Sequence, residues 1–206
     1  TFNGAGGLNP ARARATSVRT YIADTFQSLG YNGSTGTAPW SGASWVESDT
    51  SGGGATGGRV QNVVDASTRS IRIGSPSANT TNTNRLSREI GDLSGFTTVN
   101  LGFEYRCSEM DNVGGGDVDA VKLQISDDGV NFVDLQTFTG CNNPTVYSGV
   151  DLLLDPADYG ASTVIRFAVT SRLENGEYFF FDDVQIRAIA DVELEPLDLL
   201  RRAIEF

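Results

Sequence analysis

The segment Tyr178–Ile189 contains a carboxylate, Asp182, among apolar residues, where it could bind a cation or hold a proton. It reads Tyr-Phe-Phe-Phe-Asp-Asp-Val-Gln-Ile-Arg-Ala-Ile and predicts a β-strand, because aromatic and branched residues dominate it. Successive side chains of a strand point to opposite faces, so Asp182 is predicted to lie in an apolar row. The other members of that row are Phe180, Val184, Ile186 and Ala188. An unpaired carboxylate is costly to remove from water, so the pattern predicts a cation or a raised pKa beside Asp182.

A second carboxylate occupies the same kind of position in the first predicted strand. Asp24 shares the parity of Ile22 and Phe26, and therefore also points inward. Two inward carboxylates on the first and last strands predict one shared cation. Calcium is the natural choice, because it prefers carboxylate and carbonyl oxygens to thiols or imidazoles. Glu47, in the loop that follows, is the third predicted ligand.

Two alternatives to calcium remain open for Asp182. It could form an ion pair with Arg106 or Arg166, which also lie on predicted strands, or it could remain exposed to solvent. A calcium ion at this place would have a structural role and not a catalytic one.

The chain contains no histidine. This removes the commonest general base, the Ser-His-Asp triad and most catalytic zinc or iron sites. A glycosidase needs only two carboxylates, and Glu104 and Glu109 are candidates for that pair. Solvated glutamates on or beside a strand are the simpler interpretation, so the sequence predicts a protein that is not an enzyme.

Two tryptophans in a Gly- and Ser-rich loop are candidates for ligand binding. Trp40 and Trp45, with Tyr31, could offer flat apolar ring faces to a sugar. The alternative is that one or both tryptophans cap the core, which is where such large side chains are usually found.

The composition is that of an all-β protein. The chain has 24 glycines, and segments of alternating polarity separated by turns predict about ten strands, hence two layers around one core. One turn is well marked, because Ser126-Asp-Asp-Gly129 offers a glycine for a positive φ between two such segments. These segments place the sandwich at residues 21–189, between an arm at 1–20 and a tail at 190–206.

Charge and cysteine content indicate an extracellular protein. The 26 acidic and 15 basic residues give a net charge of −11, which makes nucleic acid and anionic membranes poor partners. No apolar run is long enough to insert into a membrane. Cys107 ends one predicted strand and Cys141 follows another, and we favour a disulfide between them over two free thiols.

The arm and the tail carry opposite charges. The arm contains Arg12 and Arg14 and no acid, whereas the tail is acidic and includes Val192 and Leu194 in an alternating segment. That segment predicts an edge strand, and a short helix could follow it. Each extension could add a strand to a neighbour's open sheet edge, and opposite charges would favour a head-to-tail homopolymer.

Six segments resemble jelly-roll β-sandwich modules of bacterial and archaeal surface and secreted proteins, a group related in shape to carbohydrate-binding modules and MAM-type domains. They are Ala23–Phe26, Trp45–Glu47, Leu86–Gly95, Val99–Arg106, Val121–Gly129 and Tyr178–Val184. The resemblance implies a jelly-roll fold and a structural calcium near Asp24 and Asp182. It says little about function, because one fold serves many functions.

Two functions are compatible with these observations. The first is a non-catalytic extracellular structural subunit of a surface filament, tube or adhesive layer, which assembles through its terminal extensions and is stabilised by calcium. The alternative is a carbohydrate-binding or adhesin module that binds a glycan.

Overall fold

The protein is a two-layer antiparallel β-sandwich. The computed structural model describes residues 16–65, 68–110 and 118–192. Eleven strands within these ranges form two sheets. This confirms the all-β sandwich that the sequence predicts. No helix in the described ranges is long and apolar enough to cross a membrane.

Sheet A has six strands. They are β1 (Thr16–Asp24), β3 (Val60–Asp65), β4 (Thr68–Gly74), β6 (Thr98–Ser108), β9 (Ser148–Leu153) and β11 (Tyr178–Val192). Their order is β3-β4-β11-β6-β9, and β1 pairs with β11 alone among the named strands. Strand β11 therefore lies at the centre of the sheet.

Sheet B has five strands. They are β2 (Val46–Ser48), β5 (Arg85–Gly91), β7 (Ala120–Ser126), β8 (Val133–Thr139) and β10 (Thr163–Ser171). Their order is β2-β5-β10-β7-β8. Strand β2 lies inside a segment that the sequence predicts as loop. Strands β1 and β11 extend into the predicted arm and tail, because Thr16 pairs with Val192.

Aromatic residues fill much of the space between the sheets. The rings of Phe167 on β10 and Phe181 on β11 stack with centroids 3.9 Å apart, and Phe103 on β6 meets Phe167 edge to face. All three side chains are buried. Each such ring contributes about 1.5 to 3 kcal/mol by leaving water, so these contacts hold the two sheets together.

A β-bulge in β11 changes which side chains enter the core. Asp182 pairs with Glu104 but Gln185 pairs with Gly102, so β11 has one extra residue here, and Asp183 adopts a φ of 51°. Phe181 and Val184 on either side are both fully buried in the core. Asp182 instead lies on the outer face of sheet A, together with Phe180 two residues earlier in the strand. The apolar row predicted for Asp182 is therefore wrong.

The bulge also marks a change of partner along β11. Strand β4 pairs with residues Tyr178–Phe181, before the bulge, and β1 pairs with Val184–Val192, after it. Strand β6 runs along the opposite edge on both sides of the bulge. At the end of β6, Cys107 forms a disulfide with Cys141, and the two Cα atoms are 5.7 Å apart.

Candidate functional site

Asp24 is buried in a polar cluster between the two sheets. Its Oδ2 accepts hydrogen bonds from Arg88 Nη1 at 2.9 Å and from Trp45 Nε1 at 3.0 Å. Its Oδ1 accepts one from the backbone N–H of Phe26 at 2.9 Å. Asp24 does point inward, as the sequence predicts, but an arginine neutralises it. With three donors on its two oxygens, Asp24 does not fit the role of a calcium ligand.

The partner arginine is enclosed as completely as Asp24. The side chain of Arg88 is 2% exposed, and its guanidinium lies 4.7 Å from the ring centroid of Trp40. Burial lowers the pKa of Arg88, and the charge of Asp24 opposes that shift. Gly33 O accepts a second bond from Arg88 Nη1 at 2.8 Å. A Cβ at Gly33 would lie 2.1 Å from Asp24 Oδ1, so glycine is required there.

The three aromatic residues predicted to bind ligand do not form a platform. Trp40 and Trp45 are 5% and 2% exposed and belong to the core, which is the alternative that the sequence leaves open. Tyr31 is half-buried and donates its hydroxyl to Val60 O at 2.8 Å. None of the three rings is therefore available as an open stacking surface of the kind predicted.

The predicted calcium ligands lie in different surroundings. Glu47 is next to Tyr31 and Asp49, and burial raises its pKa, with the charge of Asp49 acting in the same direction. Its Oε2 atom is buried and has no hydrogen-bond partner within the described part of the chain. In the ranges that the structure describes, no three His, Cys, Asp or Glu side chains are grouped so that they could hold a metal ion.

Asp182 is a buried carboxylate with no arginine partner among the described residues. It is 7% exposed, and burial raises its pKa to about 7, with the charges of Asp183, Glu104 and Asp24 adding to the shift. Its Oδ1 accepts the backbone N–H of Asp183 at 2.8 Å, which opposes the shift. The surroundings of Asp182 therefore favour a raised pKa, which is one of the outcomes that the sequence predicts.

The two arginines proposed as partners of Asp182 have other roles. Arg106 donates Nε to Asp65 Oδ2 at 2.7 Å, and its guanidinium lies 3.6 Å from the ring centroid of Phe180. Asp65 also accepts the hydroxyl of Tyr147 at 2.6 Å. Arg166 lies on the other sheet. Neither of the two arginines named for Asp182 is therefore its partner.

The residues predicted for assembly fall largely outside the described part of the chain. Arg12, Arg14 and Leu194 lie outside it, and Val192 is described only as the last residue of β11. The structure therefore gives no support to assembly through these side chains. The two glutamates considered for glycoside hydrolysis, Glu104 and Glu109, are both exposed.

The outer face of sheet B carries a connected row of polar side chains. The register aligns Arg166 on β10 with Gln124 on β7 and Gln124 with Asp134 on β8. Arg166 Nε donates to Gln124 Oε1 at 2.7 Å, and Gln124 Nε2 donates to Asp134 Oδ1 at 2.6 Å. Lys122 Nζ bonds Asp134 Oδ2 at 2.5 Å. These bonds lower the pKa of Asp134, the bond from Lys122 most.

A rigid turn stands beside this row. Asp128 Oδ1 accepts the backbone N–H groups of Val130 and Asn131, both at 2.8 Å, and Ser126 Oγ accepts that of Gly129 at 2.9 Å. Several hydrogen bonds hold the pKa of Asp128 well below its usual range, and the bond from the backbone N–H of Asn131 has the largest effect. Gly129 has a φ of 74°, as its place in the predicted turn requires. The turn leads directly into Phe132.

Arg166, at one end of this row, and the turn line an open groove of about 330 Å³. It is lined by Arg85, Ser87, Gly129, Val130, Phe132, Val164 and Arg166. The Arg166 guanidinium lies 3.6 Å from the Phe132 ring centroid. Burial lowers the pKa of Arg166, and the nearby positive charge of Arg85 adds to this. The arrangement offers hydrogen-bond donors, one ring and a cationic rim in a concave surface, which are features of ligand sites.

Sequence reasoning missed this groove. Its signal was present in the alternation of Lys122, Gln124 and Ser126, which puts polar groups on the outer face of a strand. The alternation does not say which strand lies next to β7. Only the observed register brings Arg166 beside Gln124 and the 129–132 turn beside β10.

Comparison with known proteins identifies the fold. No family model and no curated protein matches the sequence. The K1 cleaved adhesin domain of Lys-gingipain from Porphyromonas gingivalis W83 is 16% identical, with a TM-score of 0.50 over 81% of this chain and 97% of that one. The CBM22-1 xylan-binding domain of Xyn10C from Paenibacillus barcinonensis is 13% identical, with a TM-score of 0.47 over 83% and 96%.

A CBM61 module in complex with β-1,4-galactotriose is similar to the same extent. It is 13% identical, with a TM-score of 0.47 over 72% of this chain and 88% of that one. At 16% identity, the similarity to the K1 adhesin domain shows a shared fold and no more. The chain has the jelly-roll β-sandwich fold that its sequence resembles, and it shares that fold with this adhesin domain.

Proposed function

We propose that this chain is a non-catalytic, extracellular β-sandwich module that binds a glycan in the groove on the outer face of sheet B. The observation that carries the proposal is the groove of about 330 Å³, in which Arg166, held by a hydrogen bond to Gln124, lies against the Phe132 ring. Sugars present hydroxyl groups at their edges and apolar C–H faces, so they can use both kinds of contact.

The order of the groove supports a binding role. Arg166 is held by Gln124 and by the ring of Phe132, and the turn that carries Phe132 is fixed by Asp128. Side chains that are already ordered lose little entropy when a ligand arrives, which favours affinity. The disulfide between Cys107 and Cys141 supports an extracellular location, because such bonds persist in oxidising compartments.

Glycan binding is the alternative function that the sequence suggests, and assembly as a structural subunit is the first. The structural subunit depends on Arg12, Arg14, Val192 and Leu194, and their side chains lie outside what the structure describes. The groove depends on described residues alone. We therefore place glycan binding first.

Glycan binding can be tested with two arginine variants. The wild-type protein should bind at least one glycan on a glycan array. For that glycan, Arg166→Ala should raise the dissociation constant about tenfold, since a charge-assisted hydrogen bond is worth about 1.5 to 3 kcal/mol. Arg187→Ala is the matched control, because Arg187 lies on sheet A in an exposed ion pair with Asp151. Failure of the wild-type protein to bind any glycan, or equal losses in both variants, would argue against the proposal.

We also propose that a cation, most simply calcium, binds near Asp182. The fit is partial, because Asp24 is engaged by Arg88 and the described residues supply no group of three side-chain ligands. Asp182 is nevertheless buried within reach of the charges of Asp183 and Glu104, so backbone oxygens or water would have to complete the coordination. Oxygen ligands of this kind suit calcium. Bound there, the ion would hold the fold and would have no part in a reaction.

Stability should depend on pH through Asp182. Its carboxyl keeps a proton up to a pH of about 7 in the folded protein, whereas an unfolded aspartate has a pKa of 3.8. Stability should therefore fall as the pH rises from 3.8 towards 7. Asp182→Asn removes this fall and should be more stable than the wild type at alkaline pH by about 2 kcal/mol, after allowance for solvent screening. Urea unfolding at several pH values, with a chelator present, measures the difference.

Repeating the urea unfolding with calcium in place of the chelator tests calcium binding near Asp182 separately from the raised pKa of its carboxyl group. If calcium binds near Asp182, it should stabilise the wild-type protein at alkaline pH and leave Asp182→Asn unchanged. A variant with the same pH profile as the wild type in chelator would contradict the raised pKa. Equal stabilisation of both proteins by calcium would place the ion elsewhere.

A further inference from the structure

The groove on sheet B gathers positive charge on a strongly acidic protein. Arg85 and Arg166 both line it, although the chain carries a net charge of −11. They lie on the neighbouring strands β5 and β10, where Arg85 pairs with Ala168 and Arg166 with Ser87. The two arginines are thus diagonal neighbours on one face of the sheet, a position in which backbone atoms of adjacent strands are about 7 to 8 Å apart. Two like charges at this spacing repel each other unless an anion joins them.

Neither arginine forms an ion pair within the described ranges, where the ion pairs involve other cations. Asp134, the one carboxylate of the polar row, is hydrogen-bonded by Lys122 and Gln124, and its charge acts on Arg166 without a direct bond. Glu89, the acid on the outer face of β5, accepts the hydroxyl of Ser41 at 3.1 Å. The groove therefore has two cationic side chains, neither of which is bonded directly to a carboxylate of the described residues.

Arg166 is oriented but not saturated. Its Nε is used by Gln124, and one face of the guanidinium is close to the Phe132 ring. Its two terminal nitrogens have no protein acceptor among the described residues. A guanidinium fixed in this way presents two parallel N–H donors, which is the geometry that binds a carboxylate or sulfate through two hydrogen bonds.

We propose that the glycan bound in this groove is anionic and that Arg85 and Arg166 hold its carboxylate or sulfate group. The inference rests on the proposed glycan-binding function and adds the chemical class of the ligand. The acidic surface elsewhere on the protein repels dense polyanions such as nucleic acid. A sugar chain with spaced acidic groups meets the two arginines with less of this repulsion.

The test compares charged oligosaccharides with neutral partners of the same length. Calorimetry should use oligogalacturonate against β-1,4-galacto-oligosaccharide, and a sulfated galactan fragment against its desulfated form, all with a chelator to remove bridging cations. We expect the acidic member of at least one pair to bind about tenfold more tightly or better. The pair that shows the preference distinguishes a carboxylate from a sulfate.

Three variants assign the preference to the groove. Arg85→Gln and Arg166→Gln should each reduce the preference for the acidic ligand by about tenfold and affect the neutral ligand less. Arg85 is exposed, so its replacement leaves the fold intact and keeps the test valid if Arg166→Gln is unstable. Arg187→Gln, on sheet A, should retain the full preference.

The outcomes separate this inference from the function on which it rests. Equal binding of the acidic and neutral ligands would overturn the inference and leave glycan binding in place. Binding of neither kind of ligand, here or on a glycan array, would overturn both. A preference for acidic ligands that survives both groove variants would also overturn the inference, because the anion would then be bound elsewhere.

Discussion

Replacing Arg88 with methionine is expected to lower the free energy of unfolding by about 3 to 5 kcal/mol, because it leaves a buried carboxylate without its cation. Arg88 and Asp24 are 2% and 1% exposed and bonded at 2.9 Å. Methionine preserves much of the length and apolar volume of the side chain, so the loss reports mainly on charge. Urea unfolding at neutral pH measures it.

The matched control for Arg88→Met is the same substitution at an exposed ion pair. Arg187 and Asp151 are 47% and 55% exposed, so Arg187→Met should cost less than about 1 kcal/mol. A double variant in which Asp24 also becomes asparagine should recover part of the loss, since no charge then remains to be compensated. Similar losses at Arg88 and Arg187 would contradict the buried ion pair.

Removing the disulfide should have an effect of similar size. Cys107 and Cys141 are separated by 34 residues, and closing a loop of this length stabilises a protein by about 4 kcal/mol in the chain-entropy account. The double variant Cys107→Ser with Cys141→Ser should unfold at a correspondingly lower urea concentration. Reducing agent should bring the wild-type protein close to the variant and leave the variant itself unchanged.

The loop closed by the disulfide is also held to sheet A by other contacts. Cys107 is fully buried at the end of β6, and its backbone N–H donates to Asn143 Oδ1 at 2.9 Å, so the cross-linked loop also packs against the sheet. The variant should therefore retain its sandwich at low denaturant concentration and keep its glycan binding. A wild-type protein whose stability does not respond to reducing agent would contradict a formed disulfide.

The fold could be predicted from the sequence wherever local signals agreed. The alternating polarity within Val99–Arg106 and the glycine at Gly129 are each local signals, and the structure has a strand, Thr98–Ser108, and a turn at these places. The inward position of Asp24 was also predictable, because no bulge interrupts β1 in its pairing with β11. Such features need no knowledge of the neighbouring strands.

The site could not be predicted, because it depends on insertions and register. The extra residue in β11 moves Asp182 to the outer face, and strict alternation cannot show where a bulge lies. The Asp182-Asp183 pair was a possible signal, since aspartate tolerates the positive φ of 51° seen at Asp183. The partner of Asp24 lies 64 residues away, so its identity as Arg88 follows only from how the sheets pack.

The central place of β11 has a consequence for how the protein is made. Its partners β1, β4 and β6 all precede it in the chain, so on a ribosome they must wait for β11 before sheet A can close. Every strand of sheet B is synthesised earlier, and the groove can acquire its register before sheet A is complete. The strand pairs β3–β4 and β6–β9 can form without β11 but are joined only through it, so the apolar side of sheet B stays incompletely covered until β11 emerges, an interval in which a nascent chain is exposed to aggregation.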